Sequence, residues 1–280
     1  MKENTRTIPT ADGPMQAYVA APDGARRLPA LLVMQEAYGV NDHIRDVCRR
    51  FAGEGWVAMS PELFHRAGSG LVFAYGIPPG SPDGAKISAV LGGLRTEGIA
   101  SDIAASLADL RSLPEVDADR TGIVGFCMGG YASFLAACRT DVKTAVCFYP
   151  GGLIRERPNF GIGPILGEAE GIRNPILLLF GSEDVGIPLA DVEIVRKRLV
   201  DLGKEHEIAI YEGAQHGFFC DQRASYDAVS CARASCVSLT CRRDIMRSAT
   251  SRNLSSWYAV KLPLSPQLNG ATTLGGIADP

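Results

Sequence analysis

Short apolar runs recur along the chain, separated by amphipathic stretches and by clusters of Gly, Pro and Asp. Residues 15–20 alternate in character and predict a strand, and residues 22–29 carry the Pro, Asp and Gly of a turn. Residues 30–34 are continuously apolar, the pattern of a strand buried on both faces of a parallel sheet. Asp42 is placed to cap a helix whose apolar positions are Ile44, Val47, Cys48 and Phe51, with Gly53 or Gly55 as its stop. Residues 56–60 form the next predicted strand, closed by Pro61. Residues 62–98 are rich in Gly and Pro and weak in periodicity, so they read as a long irregular segment or as short helices over the strand tops. A helix over residues 99–113, with Ile103, Leu107 and Leu110 on its apolar face, ends at Pro114. Further strands are predicted at Ile123 and Val124, at 144–149, at 176–180 and at 207–211, with a helix over 190–202 that Gly203 terminates.

Strands alternating with helices in this way predict an α/β fold, a doubly wound and mainly parallel sheet with helices on both faces. At 280 residues and 46% hydrophobic, the chain can bury one large core without a second domain. Open sheets of this kind bind their ligands at the carboxyl ends of the strands. Cys127, Asp184 and His216 each fall in the loop just after an apolar strand, which places all three on one edge.

Residues 121–136 read T-G-I-V-G-F-C-M-G-G-Y-A-S-F-L-A, a strand, a sharp turn and a helix. This is the pattern of a G-x-nucleophile-x-G elbow with cysteine as the nucleophile. Gly125 and Gly129 stand two before and two after Cys127, where strand and helix approach too closely for side chains. The helix N-terminus directs its dipole at the sulfur and favours thiolate. Cysteine in a Gly-rich turn is also a common packing residue, so the assignment rests on partners elsewhere. The order nucleophile, acid, histidine is the one such an elbow requires. His216, in G-A-Q-H-G-F, is flanked by Gly213 and Gly217, which let its loop fold back over the elbow, whereas His206 sits in a polar connection. Asp184 follows a G-S-E turn and competes with Glu183 as the orienting acid, or caps the helix beginning near Pro188. In such a triad Cys127 attacks an acyl carbon, His216 carries the proton and Asp184 fixes the tautomer. The backbone N–H groups of Met128 and Ala37 are placed to bind the oxyanion.

Composition narrows the remaining classes. Net charge is −3 with no basic block, which argues against a nucleic-acid partner. Residues 1–10 are polar and no run reaches the length of a membrane span, so a cytoplasmic protein without a membrane partner is expected. Among eight cysteines, Cys48, Cys127, Cys138 and Cys147 lie in apolar or helical settings without paired spacing, as reduced thiols do. Neither C-x-x-C nor H-E-x-x-H occurs, and the four histidines, His43, His65, His206 and His216, lack ligand-like spacing, so no metal is expected.

Taken together the motifs resemble the dienelactone hydrolases, also called carboxymethylenebutenolidases. The matching stretches are M-Q-E-A-Y-G-V-N from Met34, D-H-I-R-D-V-C-R-R-F-A from Asp42, S-P-E-L-F-H-R from Ser60, then G-I-V-G-F-C-M-G-G, G-S-E-D and G-A-Q-H-G-F-F. The resemblance covers about residues 1–226 and implies the α/β-hydrolase fold and hydrolysis of an enol-lactone from aromatic breakdown by a Cys-His-Asp triad, without cofactor. It also implies that Glu36 matches a glutamate that interacts with the nucleophilic cysteine and helps to generate its thiolate. Relatives acting on dienelactone hold the substrate carboxylate with one arginine in the middle loop and one just after the histidine. Arg223 is a candidate for the second at an unexpected spacing, and Arg66 and Arg95 are candidates for the first.

After Tyr226 the family should present an amphipathic helix, whereas residues 227–280 here read as an atypical tail, disordered or altered in frame. The expected organisation is a hydrolase domain over 1–226 followed by that tail. Cys231, Cys236 and Cys241 recur at a spacing that carries no recognisable function. The expected partner is a small lactone or ester, and the protein acts as a monomer or a dimer. Two other readings stay open, a general carboxylesterase of activated esters and a non-enzymatic thiol sensor or binding protein on the same scaffold.

Overall fold

The computed structural model describes residues 1–24, 27–157 and 160–238. In chain order the first elements are β1 (Lys2–Thr10), β2 (Gly13–Ala21), β3 (Leu28–Met34), α1 (Asp42–Gly53) and β4 (Val57–Pro61). Then come α2 (Pro82–Gly93), α3 (Thr96–Ser112), β5 (Val116–Phe126), α4 (Met128–Arg139) and β6 (Ala145–Phe148). A 3-10 turn at Leu166–Gly171 precedes β7 (Ile176–Gly181), α5 (Leu189–Asp201), β8 (His206–Tyr211) and α6 (Ala228–Ser238). The strands form one eight-stranded sheet in the order β1-β2-β4-β3-β5-β6-β7-β8. Every pair from β4 to β8 is parallel, and only β1 with β2 and β2 with β4 run antiparallel. The expected α/β architecture is therefore the one adopted.

The apolar runs of β3 and β7 are buried along almost their whole length because helices pack over the sheet, so both side-chain directions meet protein. β1 has the opposite character. It is an edge strand on which only Ile8 is buried, and its polar residues leave no apolar signature to read. The segment 62–98 contains a regular helix, α2, which Ser81 caps by accepting the Gly84 N–H at 3.1 Å. Only Gly84 and Leu91 of α2 are buried, which accounts for its weak periodicity. The cap of α1 is Asn41 and not Asp42. The Asn41 Oδ1 accepts the Ile44 N–H at 3.2 Å, while Asp42 lies in the first turn, where its charge favours the dipole.

Under the edge that carries the site lies an aromatic layer. Phe126, Phe148 and Phe219 have ring centroids 4.7–5.1 Å apart. Each fully buried ring contributes roughly 1.5–3 kcal/mol of apolar burial. The layer ties the ends of β5 and β6 to the loop after β8. Past Tyr226, where the expected family helix was not legible, the chain forms α6, and Cys231 and Ala234 join the core. The rest of the 227–280 tail, from 239 onward and with Cys241, lies outside the described residues.

Candidate active site

The turn between β5 and α4 is built by steric exclusion. A Cβ on Gly125 would collide with the carbonyl of Gly129, one on Gly129 with the carbonyl of Met34, and one on Gly130 with the carbonyl of Phe148. Strand and helix thus meet backbone to backbone, and Cys127 takes the left-handed region with φ 56° and ψ −111°. Its N–H donates to the Phe148 carbonyl at 3.0 Å, which pins the strained residue to the neighbouring strand end. Met128 opens α4, so its N–H has no acceptor within the helix.

The loop after β7 delivers Asp184 and the loop after β8 delivers His216. The His216 Nδ1 lies 2.6 Å from the Asp184 Oδ2, and the Asp184 Oδ1 accepts the Gly186 N–H at 2.9 Å. Glu183, the alternative acid, is exposed. His206 turns its Nδ1 to the Lys204 carbonyl and takes no part. Positive φ at Gly213 and Gly217, 73° and 82°, provides the tight path that brings the imidazole back. The His216 Nε2 is buried and makes no hydrogen bond of standard geometry, and its neighbour is the Cys127 sulfur.

Charge in this cluster is strongly coupled. Burial pushes the Cys127 thiol up, but the charge and hydrogen bonding of His216, with the charge of Arg157, outweigh it and hold the thiol below its ordinary 9.0. Burial lowers the His216 imidazole, and the opposing pull of Cys127 and Asp184 raises it to about 9. The arrangement favours a thiolate–imidazolium pair over two neutral groups.

Glu36, at the end of β3, has a buried side chain and accepts from the Arg223 Nη1 at 3.3 Å, the Tyr75 hydroxyl at 3.3 Å and the Tyr149 hydroxyl at 3.5 Å. Its charge pushes Cys127 up, and among the described residues no hydrogen bond joins the two side chains. The Arg223 guanidinium also lies 5.7 Å from the Tyr38 ring centroid and 5.9 Å from that of Tyr75, so it belongs to the site. Arg66 and Arg95 do not. Arg66 is held by Asp12 and by Asp102, at 2.7 Å each, and Arg95 donates to the carbonyls of Gly92 and Leu94. Both line a separate cavity with Leu63, Phe64 and Ile99.

Three features escaped sequence reasoning. Tyr149 follows β6 with φ 36°, and its ring lies 5.0 Å from that of His216. Arg157, in the irregular segment after β6, reaches back toward the thiol; the strand-end rule that marks Cys127 and Asp184 also covers that segment. His43, on the core face of α1, lies 3.5 Å from Asp221, which Arg50 contacts at 3.0 Å. This clamp ties α1 to the loop bearing His216 and Arg223. Among the described residues, no three His, Cys, Asp or Glu side chains group as a metal site, and no helix is long and apolar enough to cross a membrane.

The sequence profile described as "Dienelactone hydrolase family" matches residues 15–239. A Synechocystis sp. protein named "Putative carboxymethylenebutenolidase" is 37% identical over 234 residues, 84% of this chain and 93% of its own. An Escherichia coli K12 protein of the same name is 37% identical over 231 residues, 80% of each chain. In structure the chain is similar to one from Klebsiella pneumoniae titled "Putative Dienelactone Hydrolase", with TM-score 0.73 and 32% identity, covering 82% of this chain and 93% of that one.

Proposed function

Because the chain belongs to the dienelactone hydrolase family, hydrolases that act on lactones and esters, we propose that it opens an enol-lactone such as dienelactone through Cys127, His216 and Asp184. The observation that carries this reading is the 2.6 Å contact of the His216 ring with buried Asp184, beside a cysteine strained into the elbow conformation. The Cys127 thiolate attacks the lactone carbonyl, and the backbone N–H groups of Met128 and Ala37 receive the oxyanion. Collapse of that intermediate breaks the ring C–O bond, and His216 gives its Nε2 proton to the departing oxygen. A thioester to Cys127 remains. His216, now neutral, takes a proton from water, whose oxygen attacks the thioester and releases the carboxylate and the thiolate. Asp184 holds the proton on Nδ1 throughout and stabilises the imidazolium. Glu36, paired with Arg223, is a positioning residue that anchors the Tyr75 and Tyr149 hydroxyls in the site.

Turnover of an enol-lactone and of an activated aryl ester tests this assignment. Activity in the wild type, lost in Cys127→Ala and in His216→Ala, is the expected result. Stoichiometric labelling of Cys127 without turnover would overturn it in favour of a thiol sensor.

A further inference from the structure

Next to the triad, between the segment after β6 and the face of α5, lies a cavity of about 220 Å³. Ile154, Phe180, Ile187, Val192 and Val195 supply apolar walls, and Arg157 lines it together with Glu156 and the Arg155–Asp191 pair. Gly186 connects this cavity to the chemistry. It lines the cavity, donates its N–H to Asp184, and a Cβ placed on it would lie 3.2 Å from the Arg157 Nη2 and 3.3 Å from the Asp184 Oδ1.

The Arg157 guanidinium sits 5.3 Å from the Phe160 ring centroid, an orienting contact that neutralises none of its charge, and that charge also acts on the Cys127 thiol. Arg155 pairs with Asp191, Arg223 with Glu36 and Arg66 with Asp12 and Asp102. Arg157 has no carboxylate partner among the described residues. A cavity of about 150 Å³ lined by aliphatic and aromatic residues holds one benzene ring, so this one accommodates a single ring or a short branched chain.

We propose that this cavity is the specificity pocket of the active site, selecting lactones or esters that carry a ring-sized apolar substituent together with a carboxylate received by Arg157. The proposal rests on the hydrolase reading above. It assigns anion recognition to a residue on the acid-loop side of the thiol, opposite in charge balance to the neutralised Arg223.

The test uses the full chain and three p-nitrophenyl esters: acetate, phenylacetate and the mono-ester of a phenyl-substituted dicarboxylic acid. Rates are taken across pH and compared at each variant's maximum, between ionisation of the thiol and loss of the imidazolium proton. In Arg157→Gln the KM of the anionic ester relative to phenylacetate is expected to rise about tenfold, the loss typical of one charge-assisted contact. In Val192→Phe, kcat/KM for phenylacetate relative to acetate is expected to fall by a similar factor. Acetate turnover and the melting temperature report folding, and Ile187→Phe repeats the filling from the other wall. Equal changes for all three esters, or none, would overturn the pocket while leaving the hydrolase reading in place. Failure of the wild type on every ester would remove that reading and the pocket with it.

Discussion

Replacing His216 by leucine removes the imidazolium from Cys127 while keeping the space filled and water excluded. Two influences on the thiol then change in a known direction. Burial, the largest cause acting on Cys127, continues to push the thiol up, and the counteracting charge and hydrogen bond are gone. For charges about 4 Å apart, a unit pair at an effective dielectric of about 20 is worth roughly 4 kcal/mol. At 1.36 kcal/mol per unit this corresponds to about three units, with solvent relaxation reducing it. A thiol at its ordinary 9.0 is about 1% ionised at pH 7, so the wild type lies above that fraction and the variant below it. The thiolate population at pH 7 is expected to drop between about tenfold and a thousandfold. Iodoacetamide labelling against pH, read by mass spectrometry at the Cys127 peptide with Cys127→Ala as background, measures this directly. Burial pushes Cys48 well up and Cys138 to about 12, so neither competes. A variant thiol that titrates at or below the wild-type pH would refute the coupling and, with it, the ion-pair account of the nucleophile.

Asp184→Asn presents an amide in place of the carboxylate at the His216 Nδ1, and kcat is expected to fall about 10²–10⁴-fold with little change in melting temperature; a rate within a factor of two of wild type would argue for a capping role alone. Gly125→Ala forces a Cβ onto the Gly129 carbonyl and should cost several kcal/mol in denaturant unfolding. Gly53→Ala, at the end of α1 with nothing within 4 Å, should gain about 0.5–1 kcal/mol; equal effects at the two glycines would contradict the steric account. Burial lowers the His43 imidazole, but the Asp221 carboxylate 3.5 Å away and the neighbouring Cys220 raise it to about 9 overall. Its contribution to stability is therefore complete below the unfolded value of 6.5 and is lost as pH rises through about 9. Asp221, brought to about 2 first of all by His43, contributes above 3.8 and loses that contribution as pH falls through about 2. Melting temperatures of wild type and His43→Gln should differ most near pH 5 and converge by pH 10, and a constant difference would exclude the ion pair.

What could be read from the residues was governed by burial. β3 and β7 are legible because packing on both faces demands continuous apolar runs, and the elbow because its close approach admits only glycine. With strand ends located, Cys127, Asp184 and His216 follow from topology, and the paired His216 and Asp184 side chains lie where it placed them. β1 was invisible for the converse reason, and α2 legible only as one of two alternatives for its segment, since Ile8 in the first and Leu91 in the second are nearly all they bury. Arginine roles were equally out of reach. Arg66 is spent on Asp102, 36 positions away, and Arg223 on Glu36, 187 positions away, and local pattern records neither pairing. His43 occupies a position on an apolar helix stripe, where only the fold reveals its carboxylate partner.

The loop after β3 is fastened to the segment that carries Tyr75. Gly39 lies so close to the Leu71 carbonyl that no Cβ fits between them, Phe73 donates its N–H to the Tyr38 carbonyl at 3.0 Å, and Asn41 donates to the Tyr75 hydroxyl at 2.9 Å. The segment bearing Tyr75, whose hydroxyl donates to Glu36, and the short stretch bearing Ala37 are therefore fastened to each other. A change in either loop is thus felt in the other, so the backbone around Ala37 and the hydroxyl that reaches Glu36 share one mechanical support.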